Sequence, residues 1–181
     1  TNGVDFSSND YLGLAQRELP PGRGGSTGSR LLSGHSQAWR ECETMLAAWH
    51  SPAGDHAALY FPSGYVANEG LLSTLIQRDD LVLSDALNHG SIIDGIRLSR
   101  AETQVFPHQD LDALAAALRD APSTQRRFVV TESVFGMDGD RTDLPAIAAI
   151  CQEHGALLIV DEAHATGCYG NTGAGLIEAT D

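Results

Sequence analysis

The chain contains no lysine: its 181 residues carry 11 basic side chains, all arginine, against 24 Asp and Glu, for a formal charge of −13. Without a lysine amine these residues supply no side-chain nucleophile for imine formation, and no P-loop lysine to reach nucleotide phosphates. Positive charge of any kind is scarce, and the isoelectric point is about 4.7. Nucleic acids and anionic membranes are held by clustered Lys and Arg, so a general binder of either is excluded. Cysteine is scarce too. Cys42, Cys151 and Cys168 are odd in number, widely spaced and form no C-x-x-C pair. They read as three reduced, mostly buried thiols of a cytosolic protein rather than a disulfide or zinc framework. No apolar run reaches the roughly 18–20 residues of a membrane span. Thr1 to Asp5 have neither the basic nor the apolar part of a signal peptide.

What is present fits a folded domain: 42% hydrophobic and 19% charged residues, in a length that buries a real core. Residues 1–35 are rich in Gly, Ser and Pro. Pro20-Pro21-Gly22 and Gly24-Gly25-Ser26-Thr27-Gly28-Ser29 cannot be helix or strand interiors. A helix starts at Ser36, with Trp39, Cys42, Leu46 and Trp49 on one face, and Pro52 and Gly54 end it. Short apolar runs and helices then alternate. The runs are 57–61, 81–83, 103–106, 128–130 and 157–160. Between them lie a helix with Leu71, Leu72, Leu75 and Ile76 on one face, a helix over 91–99, a helix capped by Asp110, and a helix over 144–154 with Pro145 in its first turn and Gly155 past its end. This pattern predicts an α/β fold with a largely parallel sheet and flanking helices. It divides the chain into an N-terminal segment and helix, 1–50, and a partial large domain, 51–181.

Sites in such sheets lie beyond the carboxyl ends of the strands, so the residues directly after each run are the candidates. These are Ser63-Gly64-Tyr65, Ser84-Asp85, His108, Thr131-Glu132 and Asp161-Glu162-Ala163-His164. Gly64 and Tyr65 at a helix start offer N–H groups to an anion, or form a plain turn with Ser63 as cap. His89 can stack on a flat ring or cap its helix. Asp161 can face a cofactor or metal, or serve as a turn residue. Val160-Asp161-Glu162-Ala163-His164 also matches the Mg²⁺-binding element of DEAH-type helicases, a reading that fails on the missing P-loop lysine. His35, His50, His56, His108 and His154 show no metal-ligand spacing and read as surface or capping residues. A phosphate seat, a stacking His, a buried Asp and a second His together suit pyridoxal phosphate. A carboxylate opposite the pyridine nitrogen keeps that nitrogen protonated, so the ring can draw electrons. A dinucleotide would want G-x-G-x-x-G, which residues 61–66 lack.

Six segments carry a resemblance over nearly the whole chain: Phe6-Ser7-Ser8-Asn9-Asp10-Tyr11-Leu12-Gly13-Leu14, Gly28-Ser29-Arg30-Leu31-Leu32-Ser33-Gly34, Ser63-Gly64-Tyr65-Val66-Ala67-Asn68, Asn88-His89-Gly90-Ser91-Ile92-Ile93-Asp94-Gly95, Met137-Asp138-Gly139-Asp140 and Asp161-Glu162-Ala163-His164-Ala165-Thr166-Gly167. In this order they resemble the α-oxoamine synthases, pyridoxal-phosphate enzymes of the aspartate-aminotransferase fold (fold type I). That family condenses an amino acid with an acyl thioester and releases CO₂. The resemblance implies Gly64 and Tyr65 at the cofactor phosphate, His89 stacked on the ring and helping to position substrate, and Asp161 at the ring nitrogen. It implies His164 at the phenolic oxygen, Glu132 near the ring pocket and Asn9 near the substrate carboxylate. It further implies a cytoplasmic homodimer with a shared active site. Gly28 to Gly34 look most like the biotin-pathway branch, which joins alanine to a pimeloyl thioester on CoA or a carrier protein. The glycine C-acetyltransferase, 5-aminolevulinate synthase and serine palmitoyltransferase branches stay open. Two departures stand out. Gly136 replaces the family's Ser before Met-Asp-Gly-Asp, removing a hydroxyl. The family's cofactor-linked lysine, the closing strands of its sheet and its C-terminal domain lie beyond Asp181. The expectation is therefore an N-terminal part with an exposed sheet edge, inactive alone. A short non-catalytic paralogue acting as a binding or dimerisation partner is the alternative.

Overall fold

The computed structural model describes residues 7–22, 25–51, 54, 56–122 and 124–180. The sequence expectations for Thr1 to Phe6, Gly24, Pro52 and Asp181 lie outside these residues. The chain divides into two compact units, Thr1–Tyr60 and Phe61–Asp181.

In the first unit, helix α1 (Gln37–His50) follows Ser36, and Trp39, Cys42, Leu46 and Trp49 form its half-buried stripe. Its organising group is the Glu43 carboxylate. Arg30 donates to both carboxylate oxygens at 2.7 and 2.9 Å, and the Tyr60 N–H donates at 2.9 Å. The guanidinium lies 4.6 Å over the Trp39 ring, which packs 5.1 Å from Tyr60. The Arg30 fork, then the Tyr60 N–H, pull the Glu43 pKa down to about 2. These bonds also correct one expectation. Residues 57–61 form no strand, because the Tyr60 N–H is taken by Glu43 and its carbonyl accepts from Arg30 at 3.3 Å.

The second unit is a four-stranded, all-parallel sheet in the order β2-β1-β3-β4. Its elements in chain order are α2 (Gly64–Leu75), β1 (Leu81–Asp85), α3 (Gly90–Ser99), β2 (Glu102–Phe106), α4 (Leu111–Asp120), β3 (Arg127–Glu132), α5 (Leu144–His154), β4 (Leu157–Asp161) and α6 (Leu176–Thr180). Side-chain alternation sorts the core into two layers. Leu81, Leu83, Val129 and Phe106 face α4 and α5, meeting Leu114, Leu118, Ile147 and Cys151. Val82, Phe128 and Val130 face α2 and α3, meeting Leu72, Ile76, Ile92 and Ile96. Both central strands are thus buried on both faces, which is why they read as unbroken apolar runs.

Local chemistry sets the helix ends. Asp110 accepts from Ala113 N–H at 2.9 Å and Asp143 from Ala146 N–H at 3.1 Å. Gly155 closes α5 at φ 63°. At the amino-terminal edge of the sheet, the Arg127 guanidinium donates to the carbonyls of His154, Ala121 and Pro122 at 2.8, 3.2 and 3.0 Å. One planar fork thereby ties down the ends of α4 and α5. Arg126 pairs with the buried Asp80 carboxylate at 2.9 Å. Burial works against that charge, but Arg126 and the Gln77 N–H outweigh it and hold the Asp80 pKa low.

Two further expectations are corrected. Of the four apolar residues expected on one face of α2, Leu72 and Ile76, the latter just past the helix end, reach the core, while Leu71 and Leu75 are exposed. Of the three free thiols only Cys151 is buried, and burial pushes its pKa up to about 11. Cys168 is exposed in the glycine-rich turns after β4.

Helices α2 and α3 cross at Gly95. A Cβ there would sit 2.8 Å from the Asn68 carbonyl and 3.0 Å from Leu72 Cβ. Gly95→Ala must push backbone from backbone and is expected to cost about 1–3 kcal/mol. Urea unfolding followed by far-UV circular dichroism checks this, and an unshifted midpoint would show that the crossing yields freely.

Candidate active site

The chain leaves β1 for β2 on one side and returns past β1 to β3 on the other. The carboxyl ends of β1 and β3 therefore border the crevice where parallel sheets bind ligands. Side chains stitch that border together. Asn88, buried after β1, donates to the Val130 carbonyl at 2.8 Å and to Ser84 Oγ at 3.0 Å. The backbone N–H of His89 donates to Glu132 Oε1, at the end of β3, at 2.7 Å. Glu132 is buried, and burial raises its pKa; the His89 N–H works against that rise and the neighbouring Asp161 charge adds to it. The His89 residue itself is exposed at the start of α3, with ring Nδ1 2.8 Å from Ser91 Oγ.

Helix α2 brings its amino terminus to the same place. Ser63 Oγ accepts from Val66 N–H at 3.2 Å, and the N–H groups of Gly64 and Tyr65 begin the helix with no carbonyl one turn behind them. A Cβ on Gly64 would meet nothing within 4 Å, so the space beside these donors is open. The Tyr65 ring meets His89 edge-on at 6.1 Å, and its hydroxyl donates to Asp94. That bond, with burial, raises the Tyr65 pKa. One turn along, Asn68 Nδ2 donates to Asp161 Oδ2 at 2.7 Å, while Asp161 Oδ1 accepts from Ala163 N–H at 2.8 Å. Helix donors, an exposed imidazole and an anchored carboxylate thus share one end of the sheet. Such a set suits a ligand with an anionic tail and a flat, protonatable ring.

The His164 imidazole lies directly against Gly136, and a Cβ at 136 would come within 2.8 Å of its Cε1. Position 136 lacks the family's hydroxyl, and the ring occupies the room a side chain would need. Asn9 sits exposed in a bend of the first unit.

His108 is not the surface residue its spacing led us to expect. Its Nδ1 meets Asp85 Oδ1 and its Nε2 meets Asp140 Oδ2, each at 2.8 Å, and Phe135 packs edge-on at 4.4 Å. Burial disfavours charge on this ring, but the two carboxylates outweigh it and raise its pKa. His108 thereby clips the loop after β3 to the end of β1. The sequence reading also passed over Asn68 and Ser91. Both lie inside segments that carry the family resemblance, and Asn68 follows Tyr65 by three residues on α2; these were the available signals.

The model of the family described as aminotransferase class I and II matches residues 1–180. The chain belongs to that family. Among curated proteins it is 48% identical over 183 residues to 8-amino-7-oxononanoate synthase of Janthinobacterium sp. (strain Marseille), covering 96% of this chain and 46% of that protein. It is 47% identical to a putative 8-amino-7-oxononanoate synthase of Bacillus licheniformis, covering 97% of this chain and 48% of that protein. The chain thus spans about half the length of the curated relatives it matches. Among solved structures it resembles serine palmitoyltransferase of Sphingomonas wittichii with TM-score 0.81 at 38% identity, over 86% of this chain and 38% of that one. It also resembles 8-amino-7-oxononanoate synthase of Francisella tularensis with TM-score 0.77 at 30% identity, over 98% of this chain and 50% of that one. A serine palmitoyltransferase from S. paucimobilis, solved with PLP and myriocin bound, matches with TM-score 0.81 at 37% identity, over 86% of this chain and 38% of that one. The resemblance to α-oxoamine synthases and the fold type I architecture both hold for this member of the aminotransferase class I and II family.

Two outcomes follow from the loop after β3. Because the His108 pKa is raised in the folded state, its stabilisation is full below the unfolded value near 6.5 and is lost as pH rises through the folded one. Urea midpoints should therefore fall from pH 6 to pH 9, and His108→Gln should flatten that slope; a parallel slope in the variant would clear His108 of the role. Gly136→Ser should cost about 1–3 kcal/mol through collision with His164, most of it regained in the double variant with His164→Ala. Equal stability of Gly136→Ser and the parent would show that the ring swings aside.

Proposed function

We propose that this chain is the cofactor-seating part of a pyridoxal-phosphate-dependent acyltransferase that condenses an amino acid with an acyl thioester and releases CO₂. The observation that carries the reading is the convergence of the α2 amino terminus, the His89 ring and the Asp161 carboxylate at the switch point. The residues fit the group: the cradle beside Gly64 is open, the imidazole is exposed, and the carboxylate is held at both oxygens. When bound, the cofactor supplies an electron sink for a substrate carbanion.

Around it the N–H groups of Gly64 and Tyr65 hold the phosphate with the helix dipole behind them. His89 covers one face of the ring and shields it from water. Asp161 holds the proton on the ring nitrogen, and Asn68 and the Ala163 N–H stop the carboxylate from turning away. His164 donates toward the phenolic oxygen. Glu132, through the His89 N–H, fixes where the imidazole starts. Asn9 receives the substrate carboxylate. These 181 residues hold no lysine, so the amine that links the cofactor comes from outside them, and the chain alone binds without turning over.

The names of the curated relatives support alanine and a pimeloyl thioester, the biotin-pathway reaction, as substrates. The serine palmitoyltransferase neighbours support serine with a longer acyl group as the runner-up. A cytoplasmic homodimer completes the reading. The non-catalytic paralogue rested on Gly136, and the His164 ring packed there weakens that support.

Titration of the chain with pyridoxal phosphate tests the proposal. Saturable binding with an induced visible dichroism is expected, weakened about tenfold or more in Asp161→Ala, and borohydride should attach no pyridoxyl group to any side chain. In a version extended to the length of the relatives, Asp161→Ala should cost several kcal/mol in kcat/KM, on the order of 10²- to 10⁴-fold. Binding and turnover indifferent to Asp161→Ala would overturn the assignment.

A further inference from the structure

We infer that Asn68 and Ser91 are positioning residues that join the Asp161 carboxylate to the His89 imidazole and fix the hydrogen of that imidazole on Nε2. The Asn68 amide nitrogen has two hydrogens. One goes to Asp161 Oδ2 at 2.7 Å and the other to Ser91 Oγ at 3.0 Å. The opposite amide orientation would set a carbonyl oxygen against a carboxylate, so the donor end is assigned by its partner. Ser91 Oγ accepts from Asn68 and has one hydrogen left. His89 Nδ1 lies 2.8 Å away and receives it. The same Nδ1 also faces the Ser91 N–H at 3.2 Å. A ring nitrogen with two donors aimed at it acts as an acceptor, which leaves the ring hydrogen to Nε2.

Asn68 donates both ways, back to the carboxylate and onward to Ser91, and the Ser91 hydroxyl donates onward to the ring. Ser91 is fully buried, so its hydroxyl has no water to turn to. The relay also crosses elements, since Asp161 ends β4, Asn68 lies on α2, and His89 and Ser91 open α3. Small movements of one element are therefore felt by the ring on another. For a protonated ring covered by His89 and paired at its nitrogen with Asp161, the relay sets both contacts with one set of bonds. That last consequence rests on the cofactor reading proposed above, whereas the tautomer does not.

The two are separated by one experiment with two readouts. In the chain carrying ¹⁵N-histidine, without cofactor, long-range ¹H–¹⁵N spectra should show His89 as the Nε2–H tautomer, assigned by loss of its signals in His89→Gln. Asn68→Asp keeps the shape but removes both amide donors: one of its oxygens shares a proton with Asp161 and the other accepts from the Ser91 hydroxyl, which turns away from the ring, and the Nδ1–H form should appear in the mixture. An Nδ1–H tautomer in the parent, or no change in Asn68→Asp, overturns the inference whatever the ligand. In pyridoxal phosphate titrations, Asn68→Ala and Ser91→Ala should each weaken binding about tenfold, and the double variant should lose little more than either. Ser91→Thr, which keeps the hydroxyl, should restore binding. Losses that multiply, or that Ser91→Thr does not rescue, overturn the coupling. A parent that binds no cofactor while showing the predicted tautomers defeats the proposed function and leaves the relay standing.

Discussion

The hydrogen bond from the His89 N–H to Glu132 crosses the point where the two central strands part company. The sheet itself cannot close that gap, because β1 and β3 pair only up to Ser84 and Val130, and the chain then turns away on both sides. Asn88 adds a second stitch, to the Val130 carbonyl. With these two bonds in place, the start of α3 has a fixed position. The imidazole, the Tyr65 ring and the end of α2 then fall into register around it. Glu132 meets the burden of burial because a backbone donor from the start of α3 is aimed at it.

A second set of contacts holds the far side of the crevice. Asp85, at the end of β1, accepts from His108 and from the N–H groups of Leu87 and Gln109 at 2.8 and 3.0 Å. The same carboxylate thus organises the loop that leads to His89 and the segment after β2. Through His108 it reaches Asp140 and the turn that contains Gly136. The crevice is bordered by the carboxylates of Asp85 and Glu132, which tie its walls together, and by that of Asp161, held at both oxygens by Asn68 and the Ala163 N–H.

Much of this was legible in the sequence, for physical reasons that differ by element. The buried central strands announced themselves as Leu81-Val82-Leu83 and Phe128-Val129-Val130, since burial on both faces leaves no polar alternation to confuse with a helix. Asp110, Asp143 and Gly155 marked helix ends by chemistry that acts within a few residues. Residues directly following strands were good candidates because a parallel sheet gathers its carboxyl ends. Where tertiary contacts decide, the reading failed. Residues 57–61 have the composition of a strand, but Arg30 and Glu43 occupy the Tyr60 backbone groups. His108 has no ligand spacing because its partners, Asp85 and Asp140, lie 23 and 32 residues away. Asn68 and Ser91 are polar residues in helices, indistinguishable from solvated ones until the neighbouring elements are in place.

The arginine forks described at the amino-terminal edge of the sheet have a chemical corollary. Arg127 grips three carbonyls at once and Arg126 a buried carboxylate, tasks for which a planar guanidinium is suited and a lysine ammonium is not. With every cationic side chain a guanidinium, the folded surface offers an aldehyde no side-chain amine at all. Imine formation with an aldehyde therefore finds no side chain here to act on. A lysine introduced at any chosen position would be the chain's sole side-chain amine, leaving the terminal amine as the other group able to form an imine.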